Sequence, residues 1–121
     1  MLKKVKFASI PVKNQDRALK FYTEVMGFRI LTDSPFDDKQ RWIELQIPGA
    51  ETRVVLFTPT GQETMIGGFS NITFHCDKID KTYQELKNKG VEFVQTPKVE
   101  DWGHYFIFKD PDGNQFCVSS N

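Results

Sequence analysis

Two stretches of this chain, PVKNQDRALKFYTEVMGFRIL from Pro11 and HCDKIDKTYQELKNKGVEFVQ from His75, carry one layout about half a chain apart. Each runs from a strand end through a capping residue, an amphipathic helix and a glycine into an apolar strand. In the first, Asn14 is the expected cap, Ala18, Leu19, Tyr22 and Met26 recur at helical spacing, and Gly27 suits the left-handed residue that ends a helix. In the second, Asp77 takes the cap, Ile79, Tyr83 and Leu86 the stripe, and Gly90 the stop. The strands repeat too. FRILTD, RWIELQI and TRVVLFT follow the first helix; VEFVQT, HYFIFKD and QFCVSS follow the second; VKFASIPV and FSNITFHC lead the two sets. The order is strand, helix, three strands, twice over. Between the halves lies PTGQETMIGG, Pro59 to Gly68, rich in turn formers and read as a linker inside one domain. That places module 1 at about 1–60, the linker at about 59–68 and module 2 at about 69–121 of a single domain, 1–121.

A chain of 121 residues suits one domain that buries its own core. Sixteen basic and sixteen acidic residues cancel, with no basic stripe of the kind that neutralises phosphates, so nucleic acid is not expected as a partner. No apolar run reaches the length of a membrane span, and the Met-Leu-Lys-Lys start lacks a signal peptide's apolar segment. A cytoplasmic location is the expectation. Cys76 and Cys117 make neither a metal-type spacing nor a disulfide framework, and are read as small buried hydrophobes with free thiols.

Period-two alternation separates the faces of each strand. Ala8, Ile10 and Val12, then Ile43, Leu45 and Ile47, then Val55 and Phe57 are assigned to the helix-covered core of the first half. Ile72, Phe74 and Cys76, Phe106 and Phe108, and Phe116 and Val118 are assigned to that of the second. The opposite faces then present Phe7, Ser9, Trp42, Glu44 and Leu56 from the first half, and Asn71, Thr73, His75, Tyr105, Ile107 and Cys117 from the second. Trp102, in the loop EDWGH, is placed to act as a lid. A surface this rich in aromatics suits a flat or apolar small molecule. Polar Ser9, Asn71, Thr73 and His75 would be costly to bury unpaired in a filled interior, which favours an open binding surface.

With DRALKFYTEVMGF after the first strand, the half-chain repeat, and FKDPDGNQF near the end, the chain resembles the vicinal oxygen chelate superfamily of glyoxalases, bleomycin-resistance proteins and extradiol dioxygenases. The resemblance covers nearly the whole chain. It implies an α+β fold of two βαβββ modules forming a cupped, barrel-like mixed sheet with helices on the outer face, a ligand on the concave side, and a homodimer. It also implies where a divalent ion would be held in metal-dependent members, on the leading and last strands of each module. Here Phe7, Leu56, Asn71 and Cys117 stand at those places, give or take one position on the strand of Leu56. None is a His or a carboxylate, so neither metal nor cofactor is expected.

Three functions compete. A metal-independent binder needs only stacking surfaces and a few polar contacts. An enzyme of the lactoylglutathione-lyase, thiol-transferase or dioxygenase kind would need the Lewis acid that these residues do not hold. A metal-free enzyme would use Glu44 or His75 as acid or base, Glu44 as a carboxylate beside Trp42 with a raised pKa. Glu44 is alternatively an ion-pair partner of Arg41, Arg53 or Lys109, and a metal set of His75, His104 and Glu44 is a further alternative, although parity sets His104 on the other face from His75. DPDGNQ, which lacks the other ligands of a calcium loop, is read as a structural turn.

Overall fold

A computed structural model describes all residues, 1–121, and divides the chain into two compact units, Met1–Ile66 and Gly67–Asn121. The first contains β1 (Phe7–Pro11), α1 (Gln15–Lys20) continued by a π-helical turn (Phe21–Val25), β2 (Arg29–Pro35), β3 (Arg41–Gln46) and β4 (Arg53–Phe57). After a 3₁₀ turn (Glu63–Met65), the second contains β5 (Gly68–His75), α2 (Ile79–Asn88), β6 (Glu92–Glu100), β7 (Gly103–Lys109) and β8 (Asn114–Ser120). Each unit is thus a βαβββ module with one four-stranded mixed sheet, ordered β1-β4-β3-β2 and β5-β8-β7-β6. In both, the leading strand pairs parallel with the last and the other pairs are antiparallel. No helix is long and apolar enough to cross a membrane.

In the first unit, the Asn14 side chain accepts from the Arg17 amide at 2.9 Å and satisfies an amide that the helix start leaves open. The helix widens at its end, where the Met26 amide reaches the Phe21 carbonyl and Gly27, at φ +78°, turns the chain out. Ala18 on α1 and Tyr22 on the π-helical turn are fully buried with Ile10, Ile43, Leu45 and Leu56. Register shows which face each side chain takes. Ile43, Leu56 and Ile10 form one cross-strand row, and Glu44, Val55 and Ser9 the next. Leu56 therefore belongs to the core, and Val55 stands where alternation put Leu56. Arg53-Val54-Val55-Leu56-Phe57 holds four apolar residues in succession, so the segment carries no period-two signal, and only pairing with β1 and β3 sets its phase.

The second core is aromatic. Tyr83 of α2 packs 4.6 Å from Phe93, Phe93 meets Phe106 edge-on at 5.7 Å, and Phe116 lies 5.4 Å from Phe74 and 5.5 Å from Phe108. Ile79 and Leu86 complete the helix's buried stripe. The Asp77 cap does not form: Lys78 precedes the helix with no side-chain cap bond, and the Asp77 carboxylate lies 3.3 Å from His75 Nε2 instead. Between β7 and β8, buried Asp110 accepts from the amides of Asp112 and Asn114 and from the Asn114 side chain, whose oxygen accepts from the Gly67 amide. That closes Asp110–Asn114 as a turn with Gly113 at φ +82°.

Candidate functional site

On the sheet face of the first unit away from α1, side chains from β1, β3, β4 and the β2–β3 turn enclose a hollow of about 270 Å³. Phe7 and Ser9 come from β1, Trp42 from β3, Val55 and Phe57 from β4, and Phe36 and Gln40 from the turn; Arg41 and Leu56 also border it. Trp42 is the centre of the aromatic wall, with Phe7 edge-on at 5.6 Å and Phe36 tilted against it at 5.9 Å. Two glutamines brace the rim. Buried Gln15 accepts from the Arg41 amide and donates to the carbonyls of Arg41 and Leu56, all at 2.9–3.0 Å. Gln40 exchanges two bonds with the Thr58 backbone, tying the turn to the end of β4.

Beside this wall, Glu44 is 7 % exposed and both its oxygens are occupied. Trp42 Nε1 donates to one at 3.1 Å and Arg53 donates to the other at 2.6 Å. The Arg53 guanidinium, which outweighs the cost of burial, holds the Glu44 carboxyl below its ordinary range, with Trp42 and Lys6 acting in the same direction. Of the two readings of Glu44, the ion pair with Arg53 forms and the raised pKa does not hold: desolvation is present, but a bonded cation dominates it. Glu44 is a carboxylate fixed in its ionised form, which orients the Trp42 indole and is a weak proton acceptor. Arg41 is likewise paired, with Asp16 at 2.9 Å and Asp33 at 2.8 Å.

The remaining sequence-predicted residues lie in the second unit. Thr73, Cys117 and Ile107 form one cross-strand row on the face away from α2, and His75, Ser119 and Tyr105 the next. Trp102 is tilted against Tyr105 with ring centres 4.6 Å apart, and both Trp102 and Asn71 are exposed. His104 is on the other face, 3.9 Å from Asp80 of α2, so His75 and His104 do not converge. No group of three or more His, Cys, Asp or Glu side chains is placed to hold a metal ion. The family's metal positions fit no better. Phe7 is packed against Trp42, Val55 and Leu56 are aliphatic, and burial raises the Cys117 pKa, keeping the thiol protonated when a metal needs the thiolate.

Sequence reasoning missed Phe36, Gln40, Val55 and Phe57 as wall residues, and Gln15 as the brace behind them. Phe36 and Gln40 sit in SPFDDKQ, where a turn erases periodicity; Val55 and Phe57 were lost with the phase of β4.

The profile of the Glyoxalase/Bleomycin resistance protein/Dioxygenase superfamily matches residues 4–118. The chain belongs to that superfamily. Among its relatives, YetH of Bacillus subtilis (strain 168) is 38% identical over 121 residues, covering 98% of each chain. A superfamily member from Sphaerobacter thermophilus DSM 20745 is 34% identical with a TM-score of 0.90, over 99% of this chain and 98% of that one. TnmS3, an antibiotic binding protein from Streptomyces sp. CB03234, is 32% identical with a TM-score of 0.84, over 98% of this chain and 96% of that one. Membership brings the βαβββ repeat and no particular reaction, since one fold hosts many chemistries.

Proposed function

We propose that this superfamily member is a metal-independent binder of a small, aromatic or apolar molecule, held in the hollow on β1, β3 and β4. The observation that carries the reading is the wall itself: Phe7, Phe36, Trp42 and Phe57 around about 270 Å³, with Trp42 immobilised by its bond to Glu44. An aromatic surface whose orientation is already fixed loses little entropy when a flat ligand stacks on it. The antibiotic-binding relative TnmS3 supports small-molecule binding, and the misfit of Phe7, Val55, Leu56, Asn71 and Cys117 to ligation supports metal independence. Glu44, being ion-paired, serves better as a positioning group than as a base. On the second unit, Thr73, His75, Tyr105, Ile107, Cys117, Asn71 and Trp102 remain candidates for ligand contacts. The homodimer that the family resemblance implies is part of the same reading, and light scattering tests it.

The deciding experiment is a thermal-shift screen of aromatic compounds and divalent metals on chelator-treated protein. A ligand of the folded state raises Tm by mass action, so an aromatic compound should stabilise the protein without added metal. Stabilisation only when metal is added would overturn the proposal.

A further inference from the structure

We propose that the hollow of the first unit selects an uncharged aromatic molecule, because the charged side chains at and beside its wall, Arg41 and Glu44, already have ionic partners within the protein. The inference rests on reading that hollow as the binding site and adds the charge class of the ligand. A cationic ligand needs a carboxylate with an open oxygen. Glu44, beside the aromatic wall, gives one oxygen to Arg53 and the other to Trp42, while Asp16 and Asp33, which each bond Arg41 through a single oxygen, do not border the hollow. On the turn, Asp37 accepts from the backbone amides of Lys39 and Gln40. An anionic ligand needs a cation not yet engaged, but Arg41 is shared by two carboxylates and Arg53 sits 2.6 Å from Glu44. Arg41 is the one charged side chain that borders the hollow, and it is bonded to two carboxylates. A charged group entering here gives up water and gains no ionic partner, whereas a neutral ring meets Phe7, Phe36, Trp42 and Phe57 at no such cost.

The test uses 2-naphthol, 2-naphthoate and 2-naphthyltrimethylammonium, which share a ring and differ in charge. Each is titrated into the full-length protein while the Trp42 indole N–H resonance is followed by NMR, that signal being assigned from its loss in Trp42→Phe. The neutral probe should bind at least about tenfold tighter than either ion, the scale set by partial desolvation of a charge without a partner. Arg53→Gln, which changes a half-exposed side chain and releases one Glu44 oxygen, should strengthen binding of the ammonium probe. Wild-type protein binding either ion as tightly as the naphthol, or Arg53→Gln leaving the ammonium unchanged, would overturn the charge selection while the binding site stands. If no probe moves the Trp42 signal, the binding site itself is refuted and the selection with it.

Discussion

Glu44 is the residue whose chemistry the sequence leaves most open. Its parity was legible, since Ile43 and Leu45 on either side are fully buried and Glu44 must face away from them. Its charge state was not. Whether a buried carboxylate titrates high or low depends on a partner nine residues along the chain, and Arg41, Arg53 and Lys109 were equal candidates until register set Arg53 beside it. Because the folded pKa lies below the ordinary value of 4.5, the stability Glu44 contributes is whole above that value and disappears as pH falls through the folded one. Glu44→Gln should therefore cost about 1–3 kcal/mol in urea unfolding at pH 7, the scale of a hydrogen bond to a charged group. The gap to wild type should narrow as pH drops below 4.5. A gap independent of pH would mean that the ion pair is not what holds the side chain.

Elements were legible where two signals agreed and were misread where one was missing. Asn14 capped its helix as expected, with Gly27 at the far end, because a cap, a stripe and a stop all pointed to the same boundaries. Asp77 did not cap, since a neighbouring histidine offered its carboxylate another partner. The phase of β4 was out by one residue because an unbroken apolar run has no preferred face until it pairs. Gln15 was invisible for a different reason: a buried glutamine that ties α1 to β3 and β4 has no sequence signature separating it from a surface one. Gln15→Ala leaves the Arg41 amide and the Arg41 and Leu56 carbonyls without their partner. It should destabilise the protein by about 1–3 kcal/mol or more, the cost of buried polar groups left unsatisfied. Hydrogen exchange should rise first at the start of β3. Asn14→Ala should cost about 1 kcal/mol, the usual value of a lost helix cap. If Gln15→Ala proves as mild as Asn14→Ala, the brace contributes no more than an exposed cap.

At the scale of the whole chain, the repeat was the most legible feature: one layout written twice yields two βαβββ units, each with its own four-stranded sheet and its own core. The hollow was legible only in outline. Phe7, Ser9 and Trp42 follow from alternation, whereas Phe36 and Gln40 come from a turn whose path no periodicity describes. The same positions that line the first sheet with phenylalanine and valine deny a metal its ligands, so elemental analysis of purified protein should find well under one equivalent of divalent metal per chain. The central claim is binding on the Trp42 wall without metal, and the measurement that meets it most directly is calorimetric titration of the best screened aromatic compound into wild-type protein and Trp42→Ala, with and without chelator. Affinity should be indifferent to chelator and fall by about 1–3 kcal/mol in the variant, the scale of a lost aromatic contact, while circular dichroism shows both proteins folded. Affinity abolished by chelator, or unchanged in folded Trp42→Ala, would contradict it.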